Sequence, residues 1–365
     1  MSVSAYFSET YSEAREKFLS AANSAGPEIQ ETWDHPLKGP DGGDLAMDIA
    51  WYGPRHARGV LTISSGTHGV EGYCGSGIQT GLLNYGIIEE LPHDVALLMV
   101  HAHNPHGFAW QRRVTEDNVD LNRNFQDYDK VEPNKAYAEV HDWLIPEDWF
   151  GPGREAAEKS IAGYIEKHGM FAFQSAVGQG QHEFPDGLFF GGQKPTWSRT
   201  SMEAMAKKYL GQAYNIAMLD LHTGLGPRGY GEILFVDRDI DSEWESARAW
   251  YGDEARSPSR GQSVSPPVHG TIDGGYRPAF REGANYTGCA IEYGTLDQIE
   301  VMNALRADHW LYAYGDLDSP EAIEIKRDIR DAFFGEDDKW QQDVYNRGLE
   351  VTRKALAGLS AQGQG

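Results

Sequence analysis

The chain has 365 residues, of which 40% are hydrophobic and 12% aromatic, and its formal net charge is −23. The apolar content is typical of a packed globular protein and excludes a disordered chain. The acidic charge disfavours nucleic acid and anionic membranes as partners, although a local cluster of arginines could still hold a small anionic substrate.

The N-terminal segment has neither a basic start nor a continuous apolar run, so we expect no signal peptide. No stretch of the sequence has the length and apolar character of a membrane span, and the expected location is the cytoplasm. The two cysteines, Cys74 and Cys289, are too few for a disulfide framework. We expect both to be buried, with a zinc-binding thiolate as the alternative.

Strands and helices are predicted to alternate along the chain, which is typical of an α/β fold with a mostly parallel sheet between helices. Apolar or alternating segments predict strands at 44–51, 59–64, 94–100, 216–221 and 288–291. Helical periodicity predicts helices at 11–22, 76–85, 135–145, 154–168, 200–210, 241–251, 297–312, 319–333 and 338–357. The first strand alternates polar and apolar residues, as an edge or half-exposed strand does.

The sequence contains no internal repeat and no low-complexity linker, so we expect residues 1–365 to form one domain. A charged and aromatic segment near 126–180 is interpreted as a helical insertion that lies outside the chemistry. Further helices near 316–358 extend the C-terminal end. The segment 184–192 could form a pocket wall or be an ordinary loop.

Three residues that follow predicted buried strands form a candidate metal site. His68 and Glu71 are three apart on one loop and can reach the same ion, and His222 can complete the set. Three protein ligands with one position left for water are typical of hydrolytic zinc sites. Because 13 histidines make a chance H-x-x-E plausible, the prediction depends on the combination. Asp220 is expected on the opposite face of its strand from His222, and Thr223 is a candidate to orient the imidazole.

Glu292 is the candidate general base. It closes a third buried strand, where a carboxylate is costly unless a charge compensates it. A metal ion with a bound water molecule would compensate the charge of Glu292, and the activated water would supply the proton that the carboxylate accepts. The alternative is a buried salt bridge to an arginine.

Cationic side chains near these motifs are candidates for substrate binding. Arg112 and Arg113 follow a turn after a buried strand, and one of them could stabilise the oxyanion that forms when water attacks a carbonyl. Asn122 and Arg123 could hold a substrate carboxylate, the arginine in bidentate fashion. The alternative for all three arginines is an ordinary surface position.

A rival metal site is formed by His101, His103 and His106, which give H-x-H and H-x-x-H at the end of another strand. This pattern would suit a barrel-type amidohydrolase. Such a barrel needs eight evenly spaced strand–helix units, and the sequence pattern does not contain them. We therefore favour a place in the core or beside the metal ligands for these histidines.

The order of the motifs resembles the zinc carboxypeptidases of the carboxypeptidase A type. It is also similar to their deacylase relatives, such as succinylglutamate desuccinylase and aspartoacylase. The details look most like a poorly characterised bacterial branch of this superfamily, and the resemblance covers roughly residues 59–296. The motifs that carry it are His68-x-x-Glu71, Asn104-Pro105-x-Gly107, an arginine, Asp120-Leu121-Asn122-Arg123-Asn124-Phe125, His222 and Glu292.

The resemblance implies a mixed, mostly parallel eight-stranded sheet sandwiched by helices. It implies one Zn²⁺ per chain, bound by His68, Glu71 and His222, with Glu292 as the general base. For the substrate it implies that Arg113, or else Arg112, stabilises the oxyanion. Asn122 and Arg123 would bind the terminal carboxylate. Tyr276 or Tyr286 would be the lid tyrosine of that family.

The expected function is therefore that of a metallocarboxypeptidase, a zinc-dependent hydrolase that cleaves an amide bond in a carboxylate-bearing substrate. The substrate would be a small peptide or an N-acyl amino acid. One alternative is an N-acyl-amino-acid deacylase of the desuccinylase or aspartoacylase kind. A non-catalytic protein that binds a metal or a carboxylate on the same fold is another.

Overall fold

The computed structural model describes residues 2–235, 240–263 and 268–362. The strands of these residues form one eight-stranded sheet. They are β1 (Ile29–Lys38), β2 (Asp44–Tyr52), β3 (Gly59–Ser64), β4 (Val95–His101), β5 (Asn215–Arg228), β6 (Gly231–Phe235), β7 (Ala255–Arg256) and β8 (Asn285–Gly294).

The order of the strands across the sheet is β1-β2-β4-β3-β5-β8-β6-β7. The β4–β3, β3–β5, β5–β8 and β6–β7 pairs are parallel, whereas the β1–β2, β2–β4 and β8–β6 pairs are antiparallel. The predicted mixed, eight-stranded α/β sheet is thereby confirmed. Its parallel centre brings the carboxyl ends of β3, β5 and β8 to one edge, where ligands bind in sheets of this kind.

The α-helices of the described residues connect these strands and cover the sheet. They are α1 (Tyr11–Ser24), α2 (Gly72–Tyr85), α3 (Pro105–Ala109), α4 (Lys135–Leu144), α5 (Pro152–His168), α6 (Met170–Gly178), α7 (Trp197–Leu210), α8 (Asp241–Tyr251), α9 (Ile272–Tyr276), α10 (Gln298–Ala313), α11 (Pro320–Phe333) and α12 (Asp338–Gln362). Within the described ranges, no helix has the length and apolar character needed to cross a membrane.

Two apolar clusters cover the two faces of the sheet, and the alternation of side chains in β4 shows how. Leu97 and Met99 belong to one cluster, whereas Leu98 and Val100 belong to the other. Successive side chains of a strand point to opposite faces, so a strand that is buried on both faces needs a continuous apolar run. Both cysteines are buried and unpaired, as expected.

The prediction for β2 was wrong, because this strand lies between β1 and β4 instead of at an edge, and every residue after Asp44 is buried. The strands β1, β6 and β7 were not predicted. β1 is the polar edge strand, and its side chains are mostly exposed or half-buried. That residues 1–365 form one domain stays a prediction.

Candidate functional site

The loop that follows β3 carries His68 and Glu71 and leads through one 3-10 turn into α2. It passes directly against the turn of Asn104 and Gly107. A Cβ atom at Gly69 would lie 2.0 Å from the carbonyl carbon of Gly107, so only glycine fits there. Asn104 Oδ1 accepts a hydrogen bond from the Gly107 N–H at 2.8 Å and fixes that turn. The Asn-Pro-x-Gly motif thus holds the loop of His68 in place.

The three predicted metal ligands converge at the carboxyl ends of β3 and β5. His68 Nδ1 lies 2.8 Å from Glu71 Oε1, and His222 Nδ1 lies 2.8 Å from Glu71 Oε2. One ligand atom from each residue lies within 4.8 Å of the others. All three side chains are buried. This His-Glu-His set could bind a metal ion.

A carboxylate lies behind each imidazole of the set. His68 Nε2 is 3.1 Å from Asp120 Oδ1, and His222 Nε2 is 2.6 Å from Asp220 Oδ2. Asp220 also accepts hydrogen bonds from the hydroxyl groups of Ser64 and Thr67. Metal-binding histidines commonly donate their second N–H to a carboxylate, which fixes the tautomer and the ring orientation.

Two expectations about the surroundings of His222 were wrong. Asp220 lies on the same face of β5 as His222, because side chains two residues apart in a strand point the same way. Thr223 does not orient the imidazole: its hydroxyl donates to Phe333 O, and its backbone N–H donates to Glu71 Oε2 at 3.1 Å. Asp120 was not predicted as a partner of His68, although it stands in the Asp-Leu-Asn-Arg motif.

The chemistry of the set fits a zinc ion. Two imidazole nitrogens and one carboxylate are a frequent ligand set of zinc hydrolases. His68 Nδ1 is buried, and apart from its 2.8 Å contact with Glu71 it has no polar partner in the described part of the chain, which leaves this nitrogen to a ligand. Burial alone would raise the pKa of Glu71, but the charge of His68 and the hydrogen bond from His222 hold it below its usual range. The ligand carboxylate is therefore ionised.

Glu292 lies on β8 directly opposite His222 in the register of the β5–β8 pair. Side chains of paired residues point to the same face, which brings Glu292 beside the cluster. Burial, together with the charge of Glu71, raises the pKa of Glu292 to about 8. No arginine forms an ion pair with Glu292 among the described residues, so the salt-bridge alternative does not hold.

The two adjacent arginines have different surroundings. Arg113 lines the same cavity as the ligand set, where its Nη1 donates to Glu71 and its Nε donates to Asp120, each at 3.0 Å. Arg112 instead donates to Asp308 at 2.9 Å and lies over the ring of Tyr312, outside the described cavity lining. The substrate-binding prediction for Arg112 was wrong, because its charge is used to hold α10.

Asn122 and Arg123 both line the cavity. Arg123 is 6% exposed, and its guanidinium donates to backbone oxygens of Gly178 and Asn122. Burial lowers the pKa of Arg123 to about 10; the charge of Asp120 opposes this shift, and the charge of Arg113 adds to it. Within the described residues, Arg123 has no carboxylate in ion-pair contact. A buried cation of this kind is suited to an anionic ligand.

Neither candidate lid tyrosine reaches the cavity that the ligand set lines. Tyr276 and Tyr286 belong to the apolar cluster that also contains Ile216 and Met218 of β5, and their hydroxyl groups contact His103 and Met218, respectively. They are buried and outside the described lining of the cavity. The lid prediction was therefore wrong for both residues, whose hydroxyl groups have core partners.

The rival histidine site does not form. His101 stacks on Phe18 and contacts Ser76, whereas His103 contacts Tyr276. Burial lowers the pKa of both imidazoles to about 4, which keeps them neutral. The open eight-stranded sheet also excludes the barrel fold that this alternative required.

A cavity of about 1150 Å³ extends from the ligand set. Residues of α5, α6 and α10 form a large part of its wall, and Phe189 contributes from the segment 184–192. The segment 126–180 was predicted to lie outside the chemistry, and its helices α5 and α6 contribute side chains to the wall of the cavity.

The chain is similar to several solved structures at low sequence identity. One is the carboxypeptidase A from Helicoverpa armigera, with 10% identity over 89% of this chain and 74% of that chain and a TM-score of 0.45. Another is a metallo-carboxypeptidase from Burkholderia cenocepacia, with 12% identity over 94% and 71% and a TM-score of 0.38. A third, from Shewanella amazonensis, is provisionally assigned to the succinylglutamate desuccinylase/aspartoacylase family, with 16% identity over 78% and 71% and a TM-score of 0.36.

These names belong to the two groups that the motif order resembles, but likenesses of this size carry no information about the reaction of this chain. No curated protein matches the sequence. The family described as a protein of unknown function (DUF2817) matches residues 7–347. Because this match spans most of its length, the chain belongs to the DUF2817 family.

Proposed function

We propose that this protein is a zinc-dependent hydrolase that cleaves an amide bond in a substrate with a free carboxylate. The observation that carries the proposal is the pair of imidazoles that face one ligand carboxylate while each is backed by a second carboxylate. A potential base and a buried unpaired arginine line the same cavity. Ligands, base and anion site are thus within reach of one substrate.

His68, Glu71 and His222 would hold the ion. When bound, zinc supplies a Lewis acid that polarises the substrate carbonyl and lowers the pKa of a water molecule. With the ion bound, hydrogen bonds from Nε2 of each imidazole to Asp120 and Asp220 would leave the Nδ1 lone pairs for the metal. The surplus of buried carboxylates around the set also favours a divalent cation over an empty site.

Glu292 acts as the general base and then as the general acid. It accepts a proton from the attacking water and delivers a proton to the leaving nitrogen, so that amide and water become a carboxylate and an amine. Arg113 uses two of its five donors on Glu71 and Asp120, and the remaining donors stabilise the oxyanion. Arg123, with Asn122 beside it, holds the substrate carboxylate.

The experiment that tests this proposal compares matched substrates on the zinc-loaded protein. N-acyl amino acids and N-blocked dipeptides are offered with a free carboxylate and as the corresponding C-terminal amides. We expect hydrolysis of the free carboxylates, loss of activity with a chelator and recovery with zinc. Equal hydrolysis of the amides would contradict the carboxylate site. Stoichiometric zinc without any hydrolysis would support the non-catalytic alternative instead.

A further inference from the structure

Three helices, α5, α6 and α10, contribute apolar side chains to the wall of the cavity. On α5 the stripe consists of Ile161, Ala162 and Ile165, at helical spacings of three and four residues. On α10 the corresponding stripe is formed by Val301, Met302 and Leu305. Two of these helices, α5 and α6, come from the insertion and not from the sheet that carries the ligand set.

Polar contacts join the helices around this apolar surface. Glu158 of α5 forms an ion pair with Arg306 of α10 at 2.8 Å, and Gln174 of α6 donates to Gln298 of α10 at 2.7 Å. The helices are therefore held together without closing the space between their stripes. Protein interiors are close-packed, so an apolar cavity of about 1150 Å³ beside a polar site indicates a place for a ligand.

The charges of the cavity wall limit the ligand to one carboxylate. Arg113, Arg123 and Arg306 are the arginines that line the cavity in the described ranges. Arg113 is paired with Glu71 and Asp120, and Arg306 is paired with Glu158. Only Arg123 of these three lacks a carboxylate partner. A second carboxylate would lie against apolar side chains, where an unpaired charge is costly.

We propose, on the basis of the function above, that the substrate is an N-acyl amino acid with a long apolar acyl chain, and that this chain lies against α5, α6 and α10. The cavity is larger than the range of about 300–1000 Å³ that encloses whole drug-sized ligands, so one amino-acid side chain would leave most of it empty. Ile299 and Met170 line the cavity and are 64% and 43% exposed, so the end of the acyl chain could reach the surface along apolar side chains. Hydrolysis transfers the oxygen of water to the acyl carbon and a proton to the nitrogen, releasing a fatty carboxylate and an amino acid.

The first test is a binding series on zinc-loaded Glu292→Gln, measured by calorimetry. The ligands are acetyl-, hexanoyl-, decanoyl- and dodecanoylglycine, with succinylglycine as the dicarboxylate. We expect the affinity to rise about two- to fourfold for each added CH₂ group, with weak binding of the acetyl and succinyl compounds. An affinity that is independent of chain length would overturn the proposal. Tightest binding of succinylglycine, or of an N-blocked apolar dipeptide, would overturn it as well.

The second test locates the chain with a matched pair of substitutions. Ile165→Gln places an amide in the apolar stripe, whereas Ile323→Gln makes the same change at a side chain that is 73% exposed on α11. We expect Ile165→Gln to weaken dodecanoylglycine binding about tenfold and to leave acetylglycine unchanged. The control variant should bind both ligands as the parent does. Equal effects on both ligands would contradict the placement of the acyl chain against α5.

These outcomes separate the acyl-chain proposal from the hydrolase proposal. If binding increases with acyl-chain length but the wild-type protein hydrolyses no acylglycine, the hydrolase proposal is contradicted and the acyl-chain site is supported. If acetyl and dodecanoyl substrates are hydrolysed with equal efficiency and binding is independent of chain length, the hydrolase proposal is supported and the acyl-chain site is contradicted.

Discussion

Glu292 and His222 are register partners in the parallel pair of β5 and β8, and their side chains point to the same face of the sheet. The pairing places a buried carboxylate beside the histidine that completes the ligand set. Neither residue depends on a flexible loop for this arrangement, because both lie inside strands. A base held in this way is preorganised for proton transfer next to the metal site.

Glu292→Gln should keep the metal and lose at least about a hundredfold in kcat, in line with the contributions of general bases. The amide has nearly the same shape as the carboxylate but cannot accept the proton. Steady-state kinetics and zinc analysis of the same preparation check both points. Glu324→Gln, at an exposed position of α11, is the matched control. Wild-type activity in Glu292→Gln would remove Glu292 from the mechanism.

Arg123→Ala should raise KM for carboxylate-bearing substrates about 10- to 100-fold, because a charged hydrogen-bond partner of the carboxylate is lost. The kcat should change less, since the guanidinium binds a part of the substrate that does not react. The exposed Arg327→Ala serves as the control for charge alone. An equal loss on C-terminally amidated substrates would mean that Arg123 acts through the structure and not through the carboxylate.

Asp220→Asn should weaken zinc binding about 10- to 100-fold, because the carboxylate behind His222 fixes its tautomer and raises its basicity. Competition with a chromophoric chelator measures the zinc affinity directly. Asp253→Asn changes a side chain that is 94% exposed and should have no effect. Unchanged affinity in Asp220→Asn would show that this carboxylate does not support the ligand.

Gly69→Ala should destabilise the protein by roughly 1–3 kcal/mol or more, because the added methyl group overlaps the backbone of Gly107. Gly163→Ala is the contrasting change, since no atom lies within 4 Å of a Cβ at that helical position. It should stabilise the protein by about 0.5–1 kcal/mol. Denaturant unfolding gives both free energies of unfolding. A neutral Gly69→Ala would show that the loop of His68 can move away from α3.

The sequence was most informative where a strand is buried on both faces. The runs 59–64, 94–100 and 216–221 are mostly apolar, so their place in the buried centre of the sheet could be predicted. β1 (Ile29–Lys38) was not predicted because its residues are mostly polar and lie exposed or half-buried at the edge of the sheet. β7 has two residues, too few for any periodicity.

For the site, residues at strand ends could be predicted and partners brought together by folding could not. His68, Glu71 and His222 were found from their positions after buried strands. Asp120 is 52 residues from His68 in the sequence, and no local pattern links the two. The wall formed by α5 and α6 was missed because an apolar stripe has the same sequence whether it faces a core or a cavity.

The metal content of the purified protein decides whether His68, Glu71 and His222 form a zinc site. Wild type is compared with His68→Ala, His222→Ala and the control His93→Ala, whose side chain is 96% exposed. We expect about one zinc ion per chain in wild type and in the control, and loss of the ion in the other two variants. Stoichiometric zinc that survives both His68→Ala and His222→Ala would contradict the site and the mechanism built on it.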